Sequence, residues 1–321
     1  MKRVLVTEEI HPRGIEILTA EPNIEIIRVN DIDPETLRIA VRDVEAIIVR
    51  SAIFPADILG EARQLKIVSR HGVGCDNIDV EHLSARGIPV AIASGSNALS
   101  VAEHTLGLML ATARNLVNQD TSVKTGCWAD RNKYRAVDLR GAKITILGFG
   151  RTGREVALLC KAIGMEVVVA DIALDNELAS ELGCRGVVEF RLELGDTDFL
   201  SLHVPYNDST HHIVSTDELA AMKYGGILIN CARGGIVDNS ALFEALESGH
   251  IRAAGIDVMP IEPPLIDDPL ILHPKVVMTP HNAAGAMSAA IAMSEMSAQN
   301  VVNMFAGKLE DGCIFNRDNL K

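Results

Sequence analysis

The chain has 321 residues, of which 48% are hydrophobic and 23% are charged. This composition excludes a disordered protein, and the length favours two domains. The net charge of −13, without any cluster of Lys and Arg, argues against a nucleic-acid partner. The N-terminal segment carries charges, no apolar run approaches the length of a membrane span, and the six cysteines lack metal-type spacing. We therefore expect a cytoplasmic protein with reduced thiols, no signal peptide and no membrane anchor.

Short apolar runs alternate with helix-like segments over the first hundred residues. This alternation predicts a mostly parallel sheet that is covered by helices on both faces. The predicted strands are Val4–Thr7, Ile24–Val29, Ala46–Val49, Lys66–Ser69 and Pro89–Ile92. The predicted helices are Pro12–Ala20, Pro34–Arg42, Pro55–Ala62 and Val80–Arg86.

A second array of the same kind follows a predicted long helix, about Ala98 to Asn118, and a polar segment, Gln119–Gly141, that we expect to be irregular. A final helix, about Ala286 to Phe305, is expected to return to the first domain and to end the ordered chain. The sequence thus predicts an α/β protein with two doubly wound parallel sheets. The strands predicted for the second sheet are Lys143–Leu147, Glu166–Ala170, Phe199–His203, Ile227–Cys231, Ala253–Asp257 and Val276–Thr279, with a helix at Arg151–Ile163.

A glycine-rich motif, GFGRTG, directly follows the strand Lys143–Leu147 and opens the next helix. A lone GxGxxG is weak evidence, but a complete strand–helix–strand context is typical of dinucleotide binding. Gly148 allows the tight turn, Gly150 lets the backbone approach a pyrophosphate, and Gly153 lets the helix and strand pack closely. A purely structural glycine turn is the alternative.

Asp171 follows the second strand of this unit, where a carboxylate can accept hydrogen bonds from the ribose hydroxyls of the cofactor. The same carboxylate would repel a 2′-phosphate, and the next residues, from Ile172 to Asp175, include no Arg or Lys. We therefore predict NAD, rather than NADP, as the cofactor.

Three polar residues follow later predicted strands: Arg233, Glu262 and His281. Ligands of open parallel sheets bind at the carboxyl ends of the strands, so these side chains are expected to gather near the nicotinamide. His281 is suited to exchange a proton with a reacting ketone or alcohol, and Glu262 would favour its protonated ring and fix its tautomer. Arg233 can hold a substrate carboxylate in a bidentate manner.

Other polar residues invite different interpretations. A single Arg, Glu or His is more often a surface or structural group than a catalytic one. His203, His211 and His212 could suggest a metal, but they have no carboxylate pattern beside them, so we predict no metal site. Cys231 lacks a His base in its motif and is interpreted as a small residue beside the cofactor rather than a nucleophile.

These segments together resemble the D-isomer-specific 2-hydroxyacid dehydrogenases, and most of all the phosphoglycerate dehydrogenase-like members. The resemblance covers nearly the whole chain, and the motifs occur in the same order as in the family. The regulatory domain of longer members is expected to be absent. The matching segments are IVSRHGVGCDNID (67–79), SNALSVAEHTLGLML (96–110), ILGFGRTGREVA (146–157), LHVPYNDST (202–210), NCARGGIVD (230–238), GIDVMPIEPP (255–264) and TPHNAA (279–284).

The resemblance implies two Rossmann-like domains with a cleft between them: a flavodoxin-like substrate domain (1–97 and 287–321) and an NAD-binding Rossmann domain (98–286). It implies catalysis by Arg233, Glu262 and His281. For the substrate it implies contacts from Arg50, Ser51, Val73, Gly74, Arg233 and His281, the amides of Val73 and Gly74 holding the carboxylate. For NAD it implies contacts from Gly148, Gly150, Arg151, Thr152, Gly153, Asp171, Val204, Pro205, Cys231, Ala232, Asp257, His281 and Ala284.

The substrate end and the oligomer are less defined. Arg50 and Arg70 together suggest a second anionic group on the substrate, such as a phosphate, against the alternative that they are solvated or form salt bridges. Residues 98–140, with Trp128, resemble the dimer-forming arm of the family, so a homodimer is expected.

Three functions remain open at this point. The first is hydride transfer between nicotinamide and C2 of a small D-2-hydroxy or 2-oxo acid, with 3-phosphoglycerate one candidate. The second is a formate- or phosphite-type dehydrogenase, although the formate group carries Gln where Glu262 stands. The third is a non-enzymatic, NAD-sensing corepressor-like protein.

Overall fold

A computed structural model describes residues 1–133 and 135–320. The chain forms two compact units, one made of Met1–Asn97 together with the chain from Gly285 onwards, the other of Ala98–Ala284. Each unit is a parallel sheet with helices on both faces, which confirms the predicted α/β class. Within the described residues, no helix combines the length and the apolar character needed to cross a membrane.

The elements follow one another in regular strand–helix alternation through both units. The strands are β1 (Lys2–Thr7), β2 (Ile24–Val29), β3 (Ala46–Val49), β4 (Ile67–Arg70), β5 (Val90–Ile92), β6 (Lys143–Leu147), β7 (Glu166–Ala170), β8 (Arg185–Val187), β9 (Phe199–Leu202), β10 (Gly226–Asn230), β11 (Ile251–Ile256) and β12 (Val276–Met278). The helices are α1 (Pro12–Thr19), α2 (Pro34–Ala40), α3 (Ala56–Glu61), α4 (Val80–Ala85), α5 (Ala98–Ala113), α6 (Leu116–Lys124), α7 (Arg151–Ala162), α8 (Asn176–Glu181), α9 (Thr216–Ala221), α10 (Asn239–Glu247) and α11 (Met287–Phe305).

In the first unit the strand order is β2-β1-β3-β4-β5, and every pair is parallel. Successive residues of β1 point to opposite faces. Leu5 joins the core under α2 and α3, whereas Val4 and Val6 pack with Ala298 and Val301 of α11. The C-terminal helix therefore completes the sheet formed by the first hundred residues.

In the second unit the strand order is β12-β11-β10-β9-β6-β7-β8, again all parallel. The five residues of β6 are all buried, as are those of β10. Continuous aliphatic runs of this kind are typical of strands covered on both faces. The order places the carboxyl ends of β6, β9, β10, β11 and β12 next to one another along one edge.

Two expectations about the chain after residue 98 were wrong. The predicted long helix is two helices, α5 and α6, separated at Asn115, whose φ of 52° is left-handed and interrupts regular helix. Part of the segment expected to be irregular is helical, as α6 continues to Lys124 and a 3-10 turn covers Trp128–Asn132. Tyr134, in the proposed dimer arm, lies outside the described residues.

The expectation that ordered structure ends with α11 was also wrong. Asn316 is buried, and its side chain accepts a hydrogen bond from the Val90 amide and donates to Ser84 and Ile88. The amide of Phe315 donates to the Val90 carbonyl. The tail after α11 is therefore fixed against β5 and α4 of the first unit.

Candidate active site

The glycine turn lies at the carboxyl end of β6, an inner strand of the second sheet, between β9 and β7. Gly148 has φ 101°, and a Cβ there would be 2.5 Å from the His203 carbonyl oxygen. A Cβ on Gly153 would be 1.9 Å from the Gly148 carbonyl oxygen, so helix α7 can approach β6 only with glycine at this position. A Cβ on Gly150 would meet no protein atom within 4 Å. Protein packing therefore does not require glycine at 150, whereas a close pyrophosphate does.

Asp171 follows β7 and is held in one orientation by two backbone amides. Its Oδ2 accepts from the Phe149 amide at 2.7 Å, and its Oδ1 accepts from the Ala173 amide at 2.9 Å. The carboxylate is thus tied directly to the glycine turn. Gly150 caps α7, and Arg151 and Thr152 form the first turn of that helix, where free N–H groups favour a phosphate.

Glu262 and His281 form a direct pair. Nδ1 of His281 lies 2.6 Å from Oε2 of Glu262, while Oε1 of Glu262 accepts from the Met259 amide at 2.9 Å. Both side chains are partly exposed, at 47% for His281 and 35% for Glu262. The pair therefore leaves Nε2 of His281 as the ring nitrogen that can meet a ligand.

Asp257 organises the turn that carries His281. It is buried and accepts from the Thr279 hydroxyl at 2.5 Å and from the amides of Asn282 and Ala283 at 2.9 Å. Its backbone carbonyl accepts from the His281 amide at 2.7 Å. His281 has φ 48°, a left-handed conformation that is uncommon for a non-glycine residue and persists only where its surroundings enforce it. Asp257 provides that enforcement, a role its sequence position alone did not indicate.

Arg233 stands at the end of a turn that is fixed by Asn230. The Asn230 side chain accepts from the Ala232 amide at 3.0 Å and donates to the Arg233 carbonyl at 2.9 Å. Nη1 of Arg233 donates to the Ala232 carbonyl at 2.7 Å. A Cβ on Gly234 would be 2.1 Å from the Met259 carbonyl carbon, so the Arg233 turn lies directly against the loop that leads to Glu262.

Cys231 and His203 do not have the environment of reactive groups. Burial raises the pKa of the Cys231 thiol to about 12, so it stays protonated and a poor nucleophile. Burial lowers the pKa of His203 to about 4, and its Nε2 lies 2.8 Å from the Ser201 hydroxyl. Val204 and Pro205 follow His203 after β9, and Ala284 ends the second unit. Among residues 1–133 and 135–320, no cluster of three or more His, Cys, Asp or Glu side chains could hold a metal ion.

In the first unit, Ser51 follows β3 and is bound by an acidic residue that the sequence analysis missed. The Glu8 carboxylate accepts from the Ser51 amide at 2.6 Å, from the Ser51 hydroxyl and from the Ala52 amide at 2.9 Å. Arg50 donates to the Glu9 carbonyl at 3.3 Å. These contacts join the ends of β1 and β3, and no sequence pattern linked Glu8 to Ser51.

The loop after β4 is braced by Arg70. Its Nε donates to the Gly74 carbonyl and its Nη1 to the His71 carbonyl, both at 2.7 Å. Gly72 has φ 144°, and its carbonyl accepts from the Ala93 amide at 2.8 Å. Arg70 therefore shapes the loop that contains Val73 and Gly74, whereas the sequence suggested a role in binding a second anionic group.

Comparison with known proteins places this arrangement in a family. Residues 106–283 match the model of the D-isomer specific 2-hydroxyacid dehydrogenase, NAD binding domain. The chain is 37% identical over 315 residues to a D-3-phosphoglycerate dehydrogenase of Methanocaldococcus jannaschii, which covers 98% of this chain and 59% of that protein. It is 37% identical over 291 residues to a hydroxypyruvate reductase of Thermotoga maritima, covering 89% of this chain and 93% of that protein.

A solved structure supports the same assignment. The D-lactate dehydrogenase of Aquifex aeolicus, complexed with NAD and lactic acid, superposes with a TM-score of 0.85 at 28% identity, covering 97% of this chain and 98% of that one. The chain spans 52–59% of the length of three phosphoglycerate dehydrogenases that it matches. The second unit is an NAD-binding domain, and the chain belongs to the D-isomer specific 2-hydroxyacid dehydrogenase family.

Proposed function

We propose that this chain is an NAD-dependent oxidoreductase that transfers a hydride between nicotinamide and C2 of a small D-2-hydroxy or 2-oxo acid. The Glu262–His281 pair carries the proposal, because it presents a proton-exchanging ring nitrogen at the sheet edge that also carries the glycine turn. A pair of this kind can act as the general acid and general base of alcohol–ketone interconversion.

The residues divide the chemistry between them. Bound NAD would supply the hydride acceptor, held by the glycine turn, the start of α7, Asp171 and the other cofactor residues predicted from the sequence. Nε2 of His281 takes the proton of the 2-hydroxyl during oxidation and returns it to the ketone oxygen during reduction. Glu262 holds Nδ1–H and stabilises the charged ring. Arg233 holds the substrate carboxylate and so fixes the position of C2.

In the first unit, we propose that the backbone amides of Val73 and Gly74 bind the substrate carboxylate. Arg50 and Ser51 would contact the far end of the substrate. Acids with a second anionic group, 3-phosphoglycerate among them, are our leading substrate class, since Arg50 supplies an exposed guanidinium there. Hydroxypyruvate is a second candidate substrate, because a hydroxypyruvate reductase is among the relatives of this chain.

We also propose a preference for NAD, a homodimer and a cytoplasmic location. Asp171 favours NAD over NADP, because its fixed carboxylate would repel a 2′-phosphate. The exposed Trp128 and the apolar side chains of α6 support a homodimer through residues 98–140. Six free cysteines support a cytoplasmic location.

Absorbance of NADH with a panel of 2-oxo acids tests the function. The panel contains 3-phosphohydroxypyruvate, hydroxypyruvate, glyoxylate and pyruvate, each with NADH and with NADPH. Oxidation of NADH by at least one acid is expected. If NADH bound tightly in a calorimeter but no acid, and neither formate nor phosphite with NAD, gave turnover, the NAD-sensing alternative would replace the dehydrogenase.

A further inference from the structure

His104, on helix α5, is connected to the turn of the catalytic histidine by one threonine. Its Nε2 lies 2.9 Å from the Thr279 hydroxyl oxygen and 3.5 Å from Oδ1 of Asp257, and the Thr279 oxygen lies 2.5 Å from the same Oδ1. A carboxylate can only accept, so the single hydroxyl proton of Thr279 points to Asp257. Thr279 must then accept from His104, which places the imidazole proton of His104 on Nε2.

The helix that carries His104 is closely packed in its unit. A Cβ on Gly255 of β11 would be 2.9 Å from Cβ of Leu108, so α5 approaches the sheet at a distance that only glycine allows. Leu108 and Met109 are buried in the core of the unit. Because α5 is rigidly packed, His104 has a fixed position on it. Its hydrogen bond therefore holds the Thr279 hydroxyl at a fixed place relative to α5.

The turn beyond Thr279 depends on such anchoring. Asp257 accepts from Thr279, Asn282 and Ala283, and the turn between these residues holds His281 in its left-handed conformation. Without the donor at position 104, the Thr279 hydroxyl keeps its bond to Asp257 but loses its second partner, so its oxygen is positioned less rigidly. A displacement of the His281 ring by about 1 Å can lower turnover up to roughly 100-fold.

We infer that His104 is a positioning residue for His281, acting through Thr279 and Asp257. This inference rests on the proposed function, since it concerns the same proton-exchanging ring. The contacts of His104 described above are with Thr279 and Asp257, so it is assigned a positioning role rather than a catalytic one. Its contribution is to fix the Thr279 hydroxyl, so that Asp257 keeps the turn in the conformation that directs Nε2 of His281 towards a ligand.

The test compares His104→Leu, which removes the donor, with His104→Gln, whose amide nitrogen can reach the same hydroxyl. With NADH and the best 2-oxo acid of the panel, His104→Leu should lower kcat roughly 10-fold or more and leave the KM for NADH within about 2-fold. His104→Gln should recover most of the lost kcat. Thr279→Val in the His104→Leu background should add little further loss, because both substitutions break one chain of hydrogen bonds.

A control histidine separates positioning from stability. His250 precedes β11 at the opposite edge of the sheet, and its Nε2 lies 2.9 Å from the Met222 carbonyl oxygen. His250→Leu should lower the melting temperature without lowering kcat. Equal kcat losses in His104→Leu and His250→Leu, or fully additive losses for His104→Leu and Thr279→Val, would overturn the inference.

A second readout does not depend on activity. In protein without cofactor, ¹⁵N NMR of the imidazole rings should show a changed tautomer balance or exchange broadening of His281 in His104→Leu and not in His250→Leu. Unchanged His281 signals in His104→Leu would refute positioning. If no acid supports turnover even in the unaltered protein, the proposed function fails, while the NMR comparison still decides the role of His104.

Discussion

Glu262 makes two hydrogen bonds that a glutamine could not make together. Oε2 faces Nδ1 of His281 at 2.6 Å, and Oε1 accepts from the Met259 amide at 2.9 Å. A glutamine has one acceptor oxygen and one donor nitrogen on its amide group. In one arrangement the glutamine oxygen would accept from the Met259 amide, and its NH₂ group would face His281. In the other arrangement the oxygen would face His281, and the hydrogen bond to the Met259 amide would be lost. Either arrangement loses the carboxylate that favours a charged His281 ring.

Glu262→Gln and His281→Ala test the proton-exchanging pair. Without the Glu262 carboxylate, Nδ1 of His281 loses the acceptor that orients its ring, so kcat should fall. His281→Ala removes the proton donor and should lower kcat by roughly 10²–10⁴. The measurement is kcat and kcat/KM with one active 2-oxo acid. An unchanged kcat in Glu262→Gln would remove Glu262 from this role.

Arg233→Lys tests the substrate clamp. Lysine keeps the positive charge but loses the planar fork that matches a carboxylate. The KM for the 2-oxo acid should rise by roughly 10-fold or more, with a smaller fall in kcat, because the carboxylate is held in both the ground and transition states. The KM for NADH should stay within about 2-fold. Glu244→Ala, at an exposed position of α10, is a control for the same region of the fold. A rise in the KM for NADH alone would place Arg233 against the cofactor instead.

Asp171→Ala tests cofactor selection. The unaltered protein should use NADH far more efficiently than NADPH, because the carboxylate accepts from ribose hydroxyls and repels a 2′-phosphate. Removing the carboxylate should raise the KM for NADH. It should also lower the ratio of kcat/KM with NADH to kcat/KM with NADPH. Asp175→Ala is the matched control, since Asp175 caps α8 through the Leu178 amide. Equal use of NADH and NADPH by the unaltered protein would contradict the assignment.

The sequence was sufficient for the parallel strands other than β8 and for the proximity of Glu262 and His281, because each has a local signal. Buried parallel strands are continuous aliphatic runs, and polar residues that follow them lie at one sheet edge. Several short helices also had signals that went unused. Asp175 caps α8, Ser215 and Glu218 form a capping box for α9, and Asp238 caps α10.

Other features depend on contacts between residues far apart in the sequence. The apolar pattern of 98–118 continues through Asn115, yet the helix is interrupted there, where the Asn115 side chain donates to the Arg135 carbonyl at 3.4 Å. The bonds from Ser51 to Glu8 and from His104 to Thr279 likewise join separate elements. Periodicity and spacing describe one element at a time, so these pairings appear only once the sheets are assembled.

The homodimer prediction depends on exposed apolar side chains of the segment after α5. Trp128 is 66% exposed, and Leu116, Val117 and Val123 of α6 are each more than half exposed. Sedimentation at micromolar concentration should show a dimer or a larger even assembly. Trp128→Glu should shift the protein towards monomer, because a charge would have to be buried in the contact. Leu192→Glu is the control, because Leu192 is 83% exposed and lies outside residues 98–140, in the 3-10 segment Phe190–Asp196. A monomer in the unaltered protein would disprove the prediction.

An ion cluster of Lys143, Arg185 and Glu193 lies at the start of β6, and its effect on stability can be predicted. Glu193 is buried, and its carboxylate is bound by the Arg185 guanidinium and lies 2.8 Å from Nζ of Lys143. The Arg185 hydrogen bonds, assisted by Lys143 and opposed by burial, lower the pKa of Glu193 to about 2 from its usual 4.5. A carboxylate whose pKa is lower in the folded state stabilises the fold above its unfolded pKa. That contribution should therefore be complete above about pH 4.5 and be lost as the pH falls towards 2.

Glu193→Gln should reduce the free energy of unfolding at pH 7 by about 2–3 kcal/mol, because Arg185 loses its carboxylate partner and the buried Lys143 is left with Asp196. The difference from the unaltered protein should stay constant from pH 7 to about 5 and shrink below about pH 4.5, because the Glu193 carboxylate then takes up a proton in the unfolded chain and not in the folded one. Urea unfolding at several pH values measures this difference. Glu61→Gln, which removes a surface pair with Arg42 at 3.7 Å, should change stability by less than about 0.5 kcal/mol. If the Glu193→Gln difference grew on acidification, the carboxylate would be destabilising in the folded state, and the cluster would need a different charge assignment.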